Sequence, residues 1–134
     1  TPLNSPLIVR TFGYKLDQSG NLDYGYALPT ERAGNRGSTR KLGQFNSFIQ
    51  HENTIELINS KSEPLEVNVD VLSFDGTPLT SHLFQLPGHG TARQVLELPT
   101  STYGSIVFQG SERGFLARVY VNRPGEYVLP YRAE

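Results

Sequence analysis

The run Pro64-Leu65-Glu66-Val67-Asn68-Val69-Asp70-Val71-Leu72-Ser73-Phe74-Asp75-Gly76 decides the fold class of this chain. From Leu65 to Val71 every second residue is apolar and the residues between are Glu, Asn and Asp, the period of a strand with one buried face. At Leu72 and Phe74 the apolar residues change parity. A pleated strand would turn them to its other face, so the pattern predicts a bulge or strand end at Val71 and Leu72. Asp75-Gly76 supplies turn chemistry, and His82, Phe84 and Leu86 resume the alternation. Pro64 to Leu86 therefore reads as one β-hairpin.

Outward from this hairpin, strands are expected at Phe45–Gln50, Thr54–Asn59, Ala92–Leu98, Tyr103–Gln109, Phe115–Val121 and Glu126–Leu129. Gly, Pro, Ser and Asn clusters separate them at intervals of about 8 to 12 residues, the rhythm of a sandwich. No window keeps a 3.6-residue apolar period, and the prolines interrupt the chain too often for long helices. The expected fold is an all-β, immunoglobulin-like antiparallel β-sandwich of about 7–9 strands. Its core is drawn from Ile55, Leu57, Val67, Val69, Val71, Phe84, Leu96, Ile106, Phe108, Ala117 and Val119.

The 134 residues make one domain's worth of chain and bury a core without metal or disulfide. With no cysteine, thiol catalysis, cysteine-based zinc sites and haem attachment are excluded. Twelve basic against thirteen acidic side chains leave no phosphate-neutralising excess, which argues against nucleic acid as a partner. No apolar run is long enough for a membrane-spanning helix. The absence of methionine suggests a mature fragment of a longer chain.

Two stretches near the ends echo each other. Leu7-Ile8-Val9-Arg10-Thr11-Phe12 matches Phe115-Leu116-Ala117-Arg118-Val119-Tyr120, apolar except for an arginine at the same place. Tyr26-Ala27-Leu28-Pro29 likewise matches Tyr127-Val128-Leu129-Pro130, with Arg-Ala following in each case. This reads as an internal repeat. Residues 1–33 would then be a leading β-hairpin, the end of a preceding repeat or an exchanged arm, and residues 34–134 the β-sandwich unit. Such a hairpin lacks the rest of its own unit and must pack on this chain or on a neighbour.

Asn53-Thr54-Ile55-Glu56-Leu57-Ile58-Asn59, Leu65-Glu66-Val67-Asn68-Val69, Phe74-Asp75-Gly76, Leu86-Pro87-Gly88-His89-Gly90, Tyr103-Gly104-Ser105-Ile106-Val107 and Ala117-Arg118-Val119-Tyr120 follow one another in a recurrent order. In that order the chain resembles bacterial secreted and cell-surface proteins with immunoglobulin-like β-sandwich repeats, from about Phe45 to Pro130. The Cys, Trp and Cys of true immunoglobulin domains are missing. The resemblance implies a secreted or cell-surface module and brings no catalytic residues with it.

Candidate chemistry is sparse. His51, His82 and His89 have no metal-ligand spacing and read as surface or turn residues. Asp17 to Asp23 presents three side-chain oxygens around Gly20, short of a calcium-loop pattern and accounted for by a polar hairpin tip. Ser105 lacks the second glycine of a nucleophile elbow, and Glu56, Glu66 and Asp70 alternate with apolar residues, as on a solvated sheet face. No catalytic residue, metal site or cofactor is expected, and the protein reads as not an enzyme.

Arg10 and Arg118 each interrupt an apolar strand, and Arg118 is expected to bridge an aromatic ring and a carboxylate at a sheet edge. The candidate partner contacts are Arg10, Tyr14, Tyr24, Tyr26, Arg32, Arg36, Arg40, Tyr127 and Tyr131. The partner is expected to be another copy of the chain or another extracellular protein. The expected function is a non-enzymatic structural or adhesive module that self-assembles by hairpin or strand exchange. The alternative is a carbohydrate-binding module that offers tyrosines and the Arg32–Lys41 loop to a glycan.

Overall fold

The structure, a computed structural model, describes residues 11–28 and 37–134. Ten strands follow in order: β1 (Thr11–Leu16), β2 (Leu22–Leu28), β3 (Arg40–Asn46), β4 (Glu52–Asn59), β5 (Leu65–Ser73), β6 (Pro78–Leu86), β7 (Thr91–Val95), β8 (Tyr103–Gly110), β9 (Phe115–Arg123) and β10 (Tyr127–Arg132). The architecture is all-β and antiparallel, as the patterning indicates. Among the described residues, eight strands form two four-stranded sheets, β10-β9-β4-β7 and β3-β8-β5-β6, while β1 and β2 pair with each other alone.

Strand β5 runs between β8 and β6, and its alternation places Leu65, Val67, Val69 and Val71 in the core at 3% exposure or less. The register with β6 shifts between Val71 and Leu72, where the apolar parity changes. Gly76, at φ +85°, then closes the hairpin, with Gly76 N–H donating to the Ser73 carbonyl at 2.9 Å. From the facing sheet, Ile55 and Leu57 of β4 and Phe115, Ala117 and Val119 of β9 meet Ile106 and Phe108 of β8 and Phe45 of β3 in one apolar cluster. Every expected core residue is buried except Phe84, which is only partly covered because β6 is an edge strand. Phe45, Leu65, Leu86, Phe115 and Ala133 complete the core.

Two buried asparagines bracket β4, each 1% exposed. Asn53 accepts from Asn46 N–H at 3.1 Å and donates to the Asn46 carbonyl at 2.7 Å, clamping the chain that leaves β3. Asn59 donates to the carbonyls of Glu63 and Pro87 and accepts from Lys61 N–H, fastening two loops at the other end. A side-chain amide offers both donors and an acceptor, so one residue satisfies backbone groups that no ladder reaches.

The expected strand Phe45–Gln50 is divided. It ends at Asn46, and Phe48–Gln50 form a tight turn in which Ile49 (φ +46°) and Gln50 (φ +63°) are left-handed. Side-chain alternation carries no signal for such a turn. Strand β7 likewise stops at Val95, although Leu96 remains in the core through its N–H bond to Asn53 O at 2.8 Å.

The two echoed stretches both lie in hairpins, with different registers. Aligned by sequence, Tyr26 corresponds to Tyr127 and Lys15 to Arg123. Tyr127 pairs with Arg123, whereas Tyr26 pairs with Gly13, two residues away. Cross-strand neighbours therefore differ between the hairpins while each residue keeps its face. Leu7 to Arg10 of the first stretch and the expected boundary at residue 33 lie outside the described residues.

Candidate functional site

Two surfaces collect the side chains that remain after core and loops are accounted for. The first is the β1–β2 hairpin. Its polar tip forms as expected, with Asp17 Oδ1 accepting from the N–H groups of Ser19 and Asn21 at 2.8 and 2.9 Å and Gly20 at φ +81°. One face carries Tyr24, Tyr26 and Leu28, all half-buried. The other carries Phe12, Tyr14, Leu16 and Leu22, whose exposures of 67, 69, 48 and 67% are high for large apolar side chains. In the ladder, Phe12 faces Ala27, Tyr14 faces Gly25, and Leu16 faces Leu22. The large rings Phe12 and Tyr14 on β1 thus stand beside the small residues Ala27 and Gly25 on β2.

Beneath the inner face of the hairpin lies an ionic cluster on the outer side of sheet β10-β9-β4-β7. Glu56 Oε1 accepts from Arg118 Nη1 at 3.2 Å and from the Tyr120 hydroxyl at 2.9 Å. Arg93 lies 3.8 Å from the same carboxylate and 4.5 Å above the Tyr120 ring. Burial, followed by the hydrogen bond to Glu56, pushes the Tyr120 phenol up to about 12. Arg118 does engage a carboxylate, but β9 is flanked by β10 and β4 and is no edge, and the cation over the aromatic ring is Arg93. Nor is Glu56 solvated: its side chain is 18% exposed because the two arginines and Tyr120 close over it. Glu66 is exposed, and Asp70, half-buried, accepts from Asn68 and Ser81.

The second surface is a cleft of about 770 Å³ where β3, the start of β8 and β10 come together. The ladder between β5 and β8 brings Phe74 beside Tyr103, their rings 5.3 Å apart and 22° from parallel. Phe48 continues the row at 6.4 Å from Tyr103. All three rings are exposed, Phe74 by 66% and Tyr103 by 53%. On the opposite wall, His51 Nε2 is hydrogen-bonded to the Tyr127 hydroxyl, and the Tyr131 hydroxyl accepts from Gln44 N–H at 2.8 Å. Burial raises the Tyr131 phenol to about 12. The Nδ1 atom of His51 is buried with no hydrogen-bond partner among the described residues.

The candidate contacts do not converge on one patch. Tyr14, Tyr24 and Tyr26 belong to the hairpin, Tyr127 and Tyr131 to the cleft, and Arg40 is exposed at the start of β3. Arg10, Arg32 and Arg36 lie outside the described residues. Sequence reasoning leaves out Phe12, Leu16 and Leu22 on the hairpin and Phe74 in the cleft; it weighs Tyr103 only among the tyrosines in general and reads His51 as a surface or turn residue. A parity change at Phe74 just before Asp75-Gly76 was the available signal, since it leaves a large apolar ring on an exposed turn. Among the described residues no three His, Asp or Glu side chains gather as a metal site, and no helix is long and apolar enough to cross a membrane.

No protein-family model matches the chain, and no curated protein matches it. Among solved structures the chain is similar to the crystal structure of Thermotoga maritima 1070, with a TM-score of 0.58 and 11% sequence identity. That likeness covers 73% of this chain and 94% of the other. At such identity it speaks for the fold alone.

Proposed function

We propose that this chain is a non-enzymatic structural or adhesive β-sandwich module that assembles with copies of itself through the β1–β2 hairpin. The observation that carries the reading is the outward face of the hairpin. Exposed Phe12 and Tyr14 stand beside the small residues Ala27 and Gly25, so a second copy related by a two-fold axis would seat its own rings over those small residues. Burying such rings removes apolar area that a monomer leaves in water. Among the described residues no ladder joins the hairpin to the two large sheets, which supports its use as an assembly element. An exchanged hairpin would keep the contact of Tyr26 with Tyr120 and make it between chains.

The immunoglobulin-like character belongs to the same reading. Counting β3 as the first strand, β4 beside β7 and β5 beside β8 match the central pairs of the immunoglobulin plan. The outer positions are filled differently, since β3 and β6 flank the β8–β5 pair. A secreted or cell-surface setting is part of the proposal through the sequence resemblance.

The chain has no cysteine, which makes a single introduced thiol a clean reporter. Tyr14→Cys should give disulfide-linked dimers on mild oxidation, with Gln109→Cys, exposed on β8, as the control. Equal cross-linking of the two variants would contradict the reading.

A further inference from the structure

The cleft beside β10 points to a second activity, independent of assembly and on different strands: we propose that it binds a neutral saccharide, one ring packed on the outer face of the Phe74–Tyr103 stack. Its size falls within the range of about 300–1,000 Å³ typical of small-molecule sites. Phe74 and Tyr103 are stacked on each other, and the exposed outer face of that stack presents a negative π surface that suits the electropositive C–H groups of a pyranose. An apolar platform alone would accept many ligands, so the polar lining has to decide among them.

That lining contains no Asp, Glu, Lys or Arg. With no Lys or Arg in its lining, the cleft gives a sulfate, phosphate or carboxylate no permanent counter-charge, which argues against an anionic ligand. Several polar groups on the cleft make no hydrogen bond among the described residues: the Gln44 amide and the hydroxyls of Ser105 and Tyr103. Each of these can both donate and accept, as a sugar hydroxyl does, and an amide is suited to a pair of neighbouring hydroxyls. A proline-rich peptide would also stack on aromatic rings, but its prolines offer only carbonyl acceptors.

Phe48, which neighbours Tyr103 at the edge of the stack, is held in place by its own turn. Asn46 Oδ1 accepts from Phe48 N–H at 2.8 Å, and Ser47 Oγ donates to Pro99 O at 2.6 Å, so the strained turn at Ile49 and Gln50 is held from both sides. On the far wall, Tyr127 fixes the His51 ring.

The test is titration of the full chain with cello-, xylo-, manno-, malto- and chitohexaose, followed by calorimetry and amide NMR. Sodium alginate serves as the anionic comparison and a proline-rich decapeptide as the competing class. At least one neutral hexasaccharide should bind and shift the amides around Phe74, Tyr103 and Gln44. Phe74→Ala and Tyr103→Ala, both at exposed positions, should each weaken it roughly tenfold while circular dichroism stays native. Three results would overturn the proposal: no binding by any neutral sugar, binding that both ring variants leave unchanged, or binding of alginate or the decapeptide alone.

Discussion

The ring of Tyr26 stands edge-on to that of Tyr120, with centroids 6.0 Å apart and planes at 77°. Through this pair the β1–β2 hairpin rests on the outer face of the sheet, above the cluster of Glu56, Arg118 and Arg93. An edge-to-face pair contributes about 0.5–1.5 kcal/mol beyond its buried area, and β2 also lies close to β10, but among the described residues no ladder ties β1 and β2 to the sandwich. Tyr26→Ala should therefore speed amide exchange in β1 and β2 and leave β5 and β8 protected. Equal loss of protection in β5 would show that the hairpin is integral to the core.

Removal of the Glu56 carboxylate should cost more than removal of any exposed charge. Glu56→Ala removes the acceptor of the Tyr120 hydroxyl and one of the partners of Arg118, and a loss of about 2–3 kcal/mol in urea unfolding is expected. Glu56→Gln retains an oxygen for the Tyr120 hydroxyl and should lose less. Equal effects of the two variants would contradict a carboxylate-centred cluster.

The phenols of Tyr120 and Tyr131 link stability to alkaline pH. Both are raised from 10.0 to about 12 in the folded chain, chiefly by burial. Their contribution is fully present below pH 10, and it is lost as pH rises through about 12, because the unfolded state releases these protons first. Ultraviolet titration should show the two ionising near pH 12, with unfolding setting in over the same range. Complete ionisation of all seven tyrosines near pH 10 in a chain still folded would contradict this.

Asp75 behaves in the opposite sense. Hydrogen bonds from the Ser73 hydroxyl, then from Thr77, lower its carboxyl from 3.8 to about 2. The turn between β5 and β6 gains from the charge above pH 3.8 and loses it as pH falls through about 2. A carboxyl resonance of Asp75 titrating near pH 2 by NMR is expected. A midpoint at 3.8 would mean that the turn does not hold the ionised form.

Gly104 is required by close approach. A Cβ there would lie 2.0 Å from Leu72 O and 2.9 Å from a carbon of the Phe45 ring. Gly104→Ala must therefore push β8 from β5 at the cleft, with an expected cost of about 1–3 kcal/mol by denaturant unfolding. A variant as stable as the native chain would show that the strands separate there at no cost.

The sandwich was readable because burial on one face imposes a period of two on the sequence. Leu65 to Val71 show that period, and the parity change at Leu72 gave the bulge to the residue. The turn at Phe48–Gln50 left no such mark, since its left-handed residues are Ile49 and Gln50 where glycine would have been the signal. The surfaces were harder to read than the core. Phe74 and Tyr103 are far apart in the chain and meet only through the β5–β8 register, while His51 finds Tyr127 across two strands. Glu56 alternates like any solvent-facing residue, and only the pairing of β4 with β7 and β9 brings Arg93 and Arg118 over it.

Self-association through the hairpin is tested most directly by the mass of the chain in solution over a concentration series, measured by sedimentation equilibrium on the native chain and on a Phe12→Ser, Tyr14→Ser variant. The native mass should rise above the 14.9 kDa of one chain as concentration increases, and the variant should stay at that mass with its sandwich folded. A native chain that remains at 14.9 kDa throughout, or a variant that associates as the native chain does, would contradict the account.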